Sequence, residues 1–117
     1  NNQLVGEIPD FTTCINLRYL TLYNNQLTAY KVGSFKSLYR MRYFDLSNNQ
    51  LNQTAQDNII SDLFDNWNAI KRGGVTVNLR GNKNSIGVNE TPSDDAKEKA
   101  IILVANGWNI SVNGGLT

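Results

Sequence analysis

Leu17-Arg18-Tyr19-Leu20-Thr21-Leu22-Tyr23-Asn24-Asn25-Gln26-Leu27 is answered 24 residues later by Met41-Arg42-Tyr43-Phe44-Asp45-Leu46-Ser47-Asn48-Asn49-Gln50-Leu51. Both stretches fit L-x-x-L-x-L-x-x-N-x-L, with Met41 and Phe44 standing at Leu positions. The agreement extends upstream, where Phe11, Cys14, Leu17 and Leu20 are matched at the same offset by Phe35, Leu38, Met41 and Phe44. A constant offset over so many apolar positions means that one structural unit is written twice, and a period of this length is that of a stacked repeat.

Each position has a physical reason. Leu20 and Leu22, like Phe44 and Leu46, alternate with polar neighbours, the period-2 pattern of a strand with one buried face. Phe11, Cys14 and Leu17 are spaced by three, which suits a 3₁₀-like return segment in which residues i and i+3 eclipse. Cys14 fills the slot that Leu38 fills in the next repeat, so it reads as a small buried hydrophobe. The Asn of the motif has another task. A tight turn inside a stack leaves backbone groups without ladder partners, and an amide carries both donors and an acceptor. Asn25 and Asn49 are therefore expected to anchor successive turns in one column.

Extending the register places Asn2 as an earlier anchor, and Val75-Thr76-Val77-Asn78-Leu79-Arg80-Gly81-Asn82 as a further strand anchored at Asn82. A fourth strand falls at Trp108-Asn109-Ile110-Ser111-Val112, with Gly115 in the anchor slot. The predicted strands are Tyr19–Leu22, Tyr43–Leu46, Thr76–Leu79 and Asn109–Val112. The longer spacing in the second half has a visible cause, since each long repeat contains a helix. The first is predicted from about Ala55 to Arg72, with Thr54 as N-cap, Asp57 at N3 in a capping-box arrangement, and Gly73 at C′. Its apolar stripe is Ile60, Leu63, Phe64, Trp67 and Ile70. The second is predicted from about Ser93 to Ala105, with Ala96, Ala100, Leu103 and Val104 facing inward.

The expected fold class is thus α/β: a right-handed repeat solenoid with a parallel sheet on its concave face and two helices on the convex face of the C-terminal repeats. Parallel neighbours require crossovers, and such crossovers have a strongly preferred hand. We expect a single domain over residues 1–117, short-period repeats over 1–51 and helical repeats over 52–117, as part of a longer solenoid. On that reading Leu4, Ile8 and Phe11 belong to a core lacking its upstream neighbour, so another chain stacking at this N-terminal edge is expected.

Composition narrows the function. The formal net charge is +1 and no block of basic residues occurs, which gives no support to nucleic-acid or membrane-surface binding. No apolar run is long enough to cross a membrane as a helix. The chain has no histidine, which excludes His-based triads and His metal ligands. Its carboxylates cluster on first turns of predicted helices, where capping explains them. Neither catalytic residues nor a cofactor are expected. The loop Asn82-Lys83-Asn84-Ser85-Ile86-Gly87 followed by Asn89 and Glu90 departs from a calcium loop at Ile86 and Ser93, so no metal site is assigned. Sequons at Asn52, Asn89 and Asn109 carry little weight in a chain so rich in Asn, Ser and Thr.

With these motifs in place, the first half resembles leucine-rich repeat proteins. Leu4-Val5-Gly6-Glu7-Ile8-Pro9 resembles the L-x-G-x-I-P stretch of the plant-specific subtype, as in receptor-like ectodomains, whereas Leu27-Thr28-Ala29-Tyr30-Lys31-Val32 lacks its Gly and Pro. The second half combines an acidic helix ending in Gly-Gly, Val-x-Val-x-Leu-x-Gly-Asn, a Thr-Pro helix start and Ala-x-Gly-Trp-x-Ile. It resembles the terminal repeats of bacterial surface proteins and leucine-rich domains of bacteriophage tail or virion proteins. The resemblance implies a non-enzymatic module that binds protein or glycan, at a cell surface, outside the cell or on a virion; a structural element of a larger assembly is the alternative. The outward positions of the sheet are the candidate ligand-binding residues: Tyr19, Thr21, Tyr23, Tyr43, Asp45, Ser47, Asn78 and Arg80, flanked by Thr76, Asn109, Ser111 and Asn113. Tyr19 and Tyr43 fall in one column, where their rings are expected to stack.

Overall fold

The computed structural model describes residues 4–81 and 91–116. The elements run β1 (Val5–Glu7), β2 (Tyr19–Thr21), β3 (Gln26–Ala29), β4 (Tyr43–Asp45), α1 (Gln53–Ile70), β5 (Thr76–Asn78), α2 (Asp94–Ala105) and β6 (Asn109–Ser111). The expectations for Asn2, Asn82 and the loop that follows Asn82 lie outside the described residues.

All four anticipated strands pair in parallel, in the order β2-β4-β5-β6. The register is continuous: Tyr19, Tyr43, Thr76 and Asn109 form one column, and Leu20, Phe44, Val77 and Ile110 the next. Each strand is assigned one residue shorter than expected, yet the ladder goes on, because the backbone N–H groups of Leu22, Leu46 and Leu79 donate to Asp45, Asn78 and Ser111. A second sheet was not anticipated. β1 and β3 pair in parallel, Val5 with Gln26 and Gly6 with Leu27, with a bulge before Glu7. Val5–Glu7 is exposed throughout, so it carries no alternation from which a strand can be read.

The returns follow the spacing by three. Cys14 N–H donates to Phe11 and Leu17 N–H to Cys14, and the same i to i+3 bonds recur at Leu38 and Met41. Cys14 itself is exposed, against the expectation of burial. Its counterpart Leu38 is buried because α1 lies on the second return, where Asn66 donates to the Phe35 carbonyl and Arg72 to those of Leu38 and Met41. The first edge is a mixed case. Leu4 is 45% exposed, but Ile8 is 1% exposed and its N–H donates to Ala29, so β3 supplies the cover that the edge reading denied to Ile8.

Helix α1 begins earlier than predicted. Asn52 is its N-cap, accepting from Ala55 N–H at 2.8 Å, and Thr54 lies inside the first turn. Asp57 reaches across to the next repeat and accepts from Ser93 N–H at 2.8 Å, so it does not close a capping box. At the other end Lys71, not Gly73, takes the left-handed cap conformation (φ 54°), and its N–H donates to the Trp67 carbonyl. The buried face of α1 includes Ile59 with Ile60 and Leu63, while Ile70 is exposed. Ser93 is the N-cap of α2, whose Ala96, Ala100 and Leu103 are buried, but Val104 is exposed together with Ile101 and Ile102. With one flank of α2 against α1 and β6, Val104 falls on the other.

One cluster of buried apolar side chains runs from Ile8 through Phe35, Phe44 and Leu63 to Val112. Gly73 owes its place to a close approach: a Cβ there would sit 2.9 Å from the Asn106 carbonyl oxygen. Facing it, Gly107 has φ +95° and its own Cβ would lie 3.4 Å from Gly73 Cα, so the corners of the two helical repeats meet backbone to backbone.

Candidate binding face of the four-stranded sheet

Two rows of outward side chains cross the sheet. The first is Tyr19, Tyr43, Thr76 and Asn109, and the second is Thr21, Asp45, Asn78 and Ser111. Strand alternation places both on the face opposite Leu20, Phe44, Val77 and Ile110, which are buried. Tyr19 is 65% and Tyr23 45% exposed, and Thr21 between them is exposed as well, so β2 offers the most open part of the face. Arg80 is exposed at the far side, beyond half-buried Thr76 and Asn78.

The middle of the face is occupied by its own bonds. Tyr43 hydroxyl donates to Asp45 Oδ2 at 3.1 Å, and Asp45 Oδ1 accepts from the Ser47 hydroxyl at 2.6 Å and the Ser47 N–H at 3.1 Å. Burial, and secondly the Asp45 carboxylate accepting its proton, holds the Tyr43 hydroxyl above its ordinary pKa. Ser47 is only 9% exposed, so its hydroxyl serves this turn and is not presented to a ligand. Tyr43 is half-buried and turned to Asp45; the ring pairs of the described residues are Phe11–Phe35, Tyr30–Phe35, Phe35–Phe44 and Phe64–Trp67, so the expected Tyr19–Tyr43 stack does not form. Asn78 Oδ1 repeats the Asp45 arrangement one strand on, accepting from Arg80 N–H at 3.1 Å. Asn113 Oδ1 accepts from Gly81 N–H at 2.9 Å, a bond between repeats.

Behind this face runs the anchor column. Asn49 is fully buried; its Nδ2 donates to the carbonyls of Leu22, Leu46 and Ser47, and its Oδ1 accepts from Leu27 N–H. Asn25 does the same with one bond fewer, donating to Leu22 and Tyr23 and accepting from Leu4 N–H. Beside them Asn24 and Asn48 adopt the left-handed conformation (φ 60° and 57°), and Asn48 Nδ2 donates to Asn24 Oδ1 at 2.8 Å. Asn tolerates that conformation better than other residues with a Cβ.

Sequence reasoning missed a polar junction between α1 and the second return. Asp62 is buried and accepts from Tyr30 hydroxyl and Gly33 N–H, both at 2.6 Å, while the Tyr30 oxygen accepts from Phe35 N–H at 2.8 Å. Asn66 and Arg72 complete it through the bonds already described. The signal was present as polar residues interrupting the apolar stripe of α1 at helical spacing (Asp62, Asn66), but nothing in a single sequence says what they face. Among the described residues no group of three His, Cys, Asp or Glu is placed to hold a metal ion, and no helix is long and apolar enough to cross a membrane.

Residues 11–64 match the leucine rich repeat family model. This stretch contains both returns, strands β2 to β4 and most of α1, so the matched region coincides with the 24-residue sequence period and with the anchor column. Repeats of this kind generally mediate protein binding. No curated protein and no solved structure was found to match the chain.

Proposed function

We propose that the chain is a non-enzymatic recognition module, a single leucine-rich repeat domain that binds a protein or glycan through the outward face of β2, β4, β5 and β6. The observation that carries this reading is the open tyrosine pair at the start of β2 and just past its end, Tyr19 and Tyr23, set in a register of polar side chains unbroken across four strands. Tyr and Arg are favoured where a surface must give both apolar area and a directional bond. Tyr19, Thr21, Tyr23, Asn78 and Arg80 are the contact residues; Tyr43 and Asp45 shape the middle of the face.

The four parallel strands in chain order, joined by crossovers, support a right-handed solenoid with this sheet as its concave face. We place the module at a bacterial or phage surface, in adhesion or attachment. The exposed Leu4 and Val5 support a second contact, with another chain stacked on the β1 edge. An inert structural role in a larger assembly makes the opposite demand on Tyr19 and Tyr23, since neither then needs to be conspicuous to a ligand.

The test is a Tyr19→Ala, Tyr23→Ala double variant. It should keep its melting temperature, because both side chains are exposed, and lose attachment to bacterial cells and to a glycan array on which the native chain binds. Full attachment by the folded variant would transfer the face from binding to scaffold.

A further inference from the structure

The second outward row of the sheet is Thr21, Asp45, Asn78 and Ser111, and Asp45 alone among them is charged. Its neighbour in the row shows that the turn does not need that charge. Asn78 Oδ1 accepts from Arg80 N–H at 3.1 Å, and Asp45 Oδ1 accepts from Ser47 N–H at 3.1 Å, two residues on in each case. A neutral amide therefore holds the turn after β5, whereas β4 carries a carboxylate for the same bond. Among the described residues no cation pairs with it, the ion pairs being Lys31–Asp10 and Lys36–Asp65. Arg80 shares the face, diagonally across from Asp45, and is not joined to it.

The groups around Asp45 lie on one side of the sheet, since all occupy outward positions. Tyr43, two residues before it, donates its hydroxyl to Oδ2 at 3.1 Å. Thr21 is its partner across the ladder, about 4.8 Å away by strand spacing. The ladder runs on past β2, where Leu22 N–H donates to the Asp45 carbonyl and Asn24 N–H to that of Ser47. Tyr23, between those two bonds, is thereby held beside β4. Burial first, then Asp45, and last Tyr23 raise the Tyr43 pKa, so the three groups share one neighbourhood. Tyr23 is 45% exposed, Thr21 is exposed, and Asp45 is half-buried beside them.

A carboxylate offers about four acceptor sites. Two bonds from Ser47 fill Oδ1 and one from Tyr43 uses half of Oδ2, so a single site on Oδ2 is left. A guanidinium fork needs a site on each oxygen, whereas an ammonium needs only one. Tyrosine rings beside the carboxylate favour the same guest, because their faces attract a cation and cover the methylene stem behind it. We infer that Asp45, Tyr23 and Tyr43 form a site for a lysine side chain of a partner protein, entered from the β2 side. The inference rests on the binding-face reading above and names the chemistry that the partner presents. Arg80 repels a cation on the β5 side, while small Thr21 leaves the β2 side open. An amine on a long stem reaches a half-buried oxygen; the amine of a sugar is held off by the ring that carries it.

The experiment uses the full chain at low salt and a fluorescein-labelled peptide of lysines spaced by glycine and serine. Its arginine and glutamine counterparts and a chitosan oligosaccharide are measured beside it. Anisotropy should show saturable binding of the lysine peptide, weakened by added salt, and no binding of the glutamine peptide. Asp45→Asn should weaken the lysine peptide roughly tenfold or more. Its melting temperature should stay close to the native one, because an amide keeps the turn bond, as Asn78 does. Tyr23→Ala, at an exposed position, should weaken the peptide as well. Asp45→Asn combined with Asn78→Asp restores the net charge and should bind no better than Asp45→Asn alone. Absence of saturable binding, equal binding by either single variant, or recovery in the combined one overturns the site. Tighter Asp45-dependent binding of the arginine peptide overturns the ammonium assignment, and that of chitosan overturns the protein one. Cell attachment lost in Tyr19→Ala, Tyr23→Ala but kept in Asp45→Asn leaves the face a binding surface without this site. Attachment kept in both, with peptide binding still dependent on Asp45, removes the adhesion reading and retains the site.

Discussion

The two halves of the chain solve the same problem with different materials. In the short-repeat half, return segments of a few 3₁₀-like turns bring each strand back, and buried amides do the joining: Asn25 and Asn49 satisfy turn backbone that no ladder reaches. In the helical half the crossovers are α1 and α2, and the joining is mainly apolar, through Ile59, Ile60, Leu63, Ala96, Ala100 and Leu103. Apolar burial grows with the size of the crossover, whereas an Asn anchor gives the same few bonds in every turn. A short repeat is therefore the more dependent on one residue. The halves meet at the Asp62–Tyr30 junction, where the helical half extends polar arms into the short one.

The largest effect should come from the apolar side of that comparison. Leu63→Ala should lower stability by about 2–5 kcal/mol, the usual range for emptying a buried Leu site. Both tryptophans, Trp67 and Trp108, lie in the helical half, so their fluorescence reports that half, while far-UV circular dichroism reports the whole. Coincident denaturation curves in the variant would show that the halves unfold together. An earlier fluorescence transition would break the chain into two cooperative units at the junction.

Next comes the anchor column. Asn49→Leu should cost about 1–3 kcal/mol in urea denaturation, because several buried carbonyls and the Leu27 N–H lose their partner at once. Asn25→Leu should cost less, about 1 kcal/mol, since one of its bonds goes to Leu4 on the exposed edge. Equal costs at the two positions would mean that the anchors act independently of their place in the stack.

The smallest effect concerns the junction and appears only in alkali. Burial, and after it the hydrogen bond to Asp62, raises the Tyr30 pKa above its ordinary value of 10.0. Below pH 10 the phenol keeps its proton in both folded and unfolded chains, so its contribution is intact. Above pH 10 the unfolded chain releases that proton while the folded chain retains it, and stability falls as pH rises. Melting curves between pH 9 and 11 should show a steeper decline in the native chain than in Tyr30→Phe. Parallel declines would place the alkaline sensitivity elsewhere, for instance at Tyr43.

The legible parts of the fold were those that repeat. Two copies of Leu20-x-Leu22 and Phe44-x-Leu46 at one offset located the sheet and its register, and Asn25 and Asn49 stood where turns needed an amide. What was missed depends on contacts that the repeat register does not state. β1 lacks any buried residue, so its strand character comes only from pairing with β3. Asn52 and Thr54 are both good caps, and choosing between them requires the backbone. Cys14 fitted a buried slot by register, yet its burial depends on whether a helix lies over that return, which the motif does not state. The same is true of the face: register identified Tyr19, Thr21 and Tyr23, but the withdrawal of Ser47 into the Asp45 turn depends on side-chain bonds that periodicity cannot see.

The backbone contact between Gly73 and Gly107 limits how such a chain can be lengthened. A helical repeat added between the existing ones must carry a glycine at its own corner, because any side chain there would wedge neighbouring turns apart and tilt each later strand away from its predecessor. Variation in repeat number is therefore confined to units that bring this glycine with them, while the residues facing outward from the same units can change freely. A two-atom clearance at one corner thus separates the part of the sequence that is free to diversify from the part that governs whether diversification still folds.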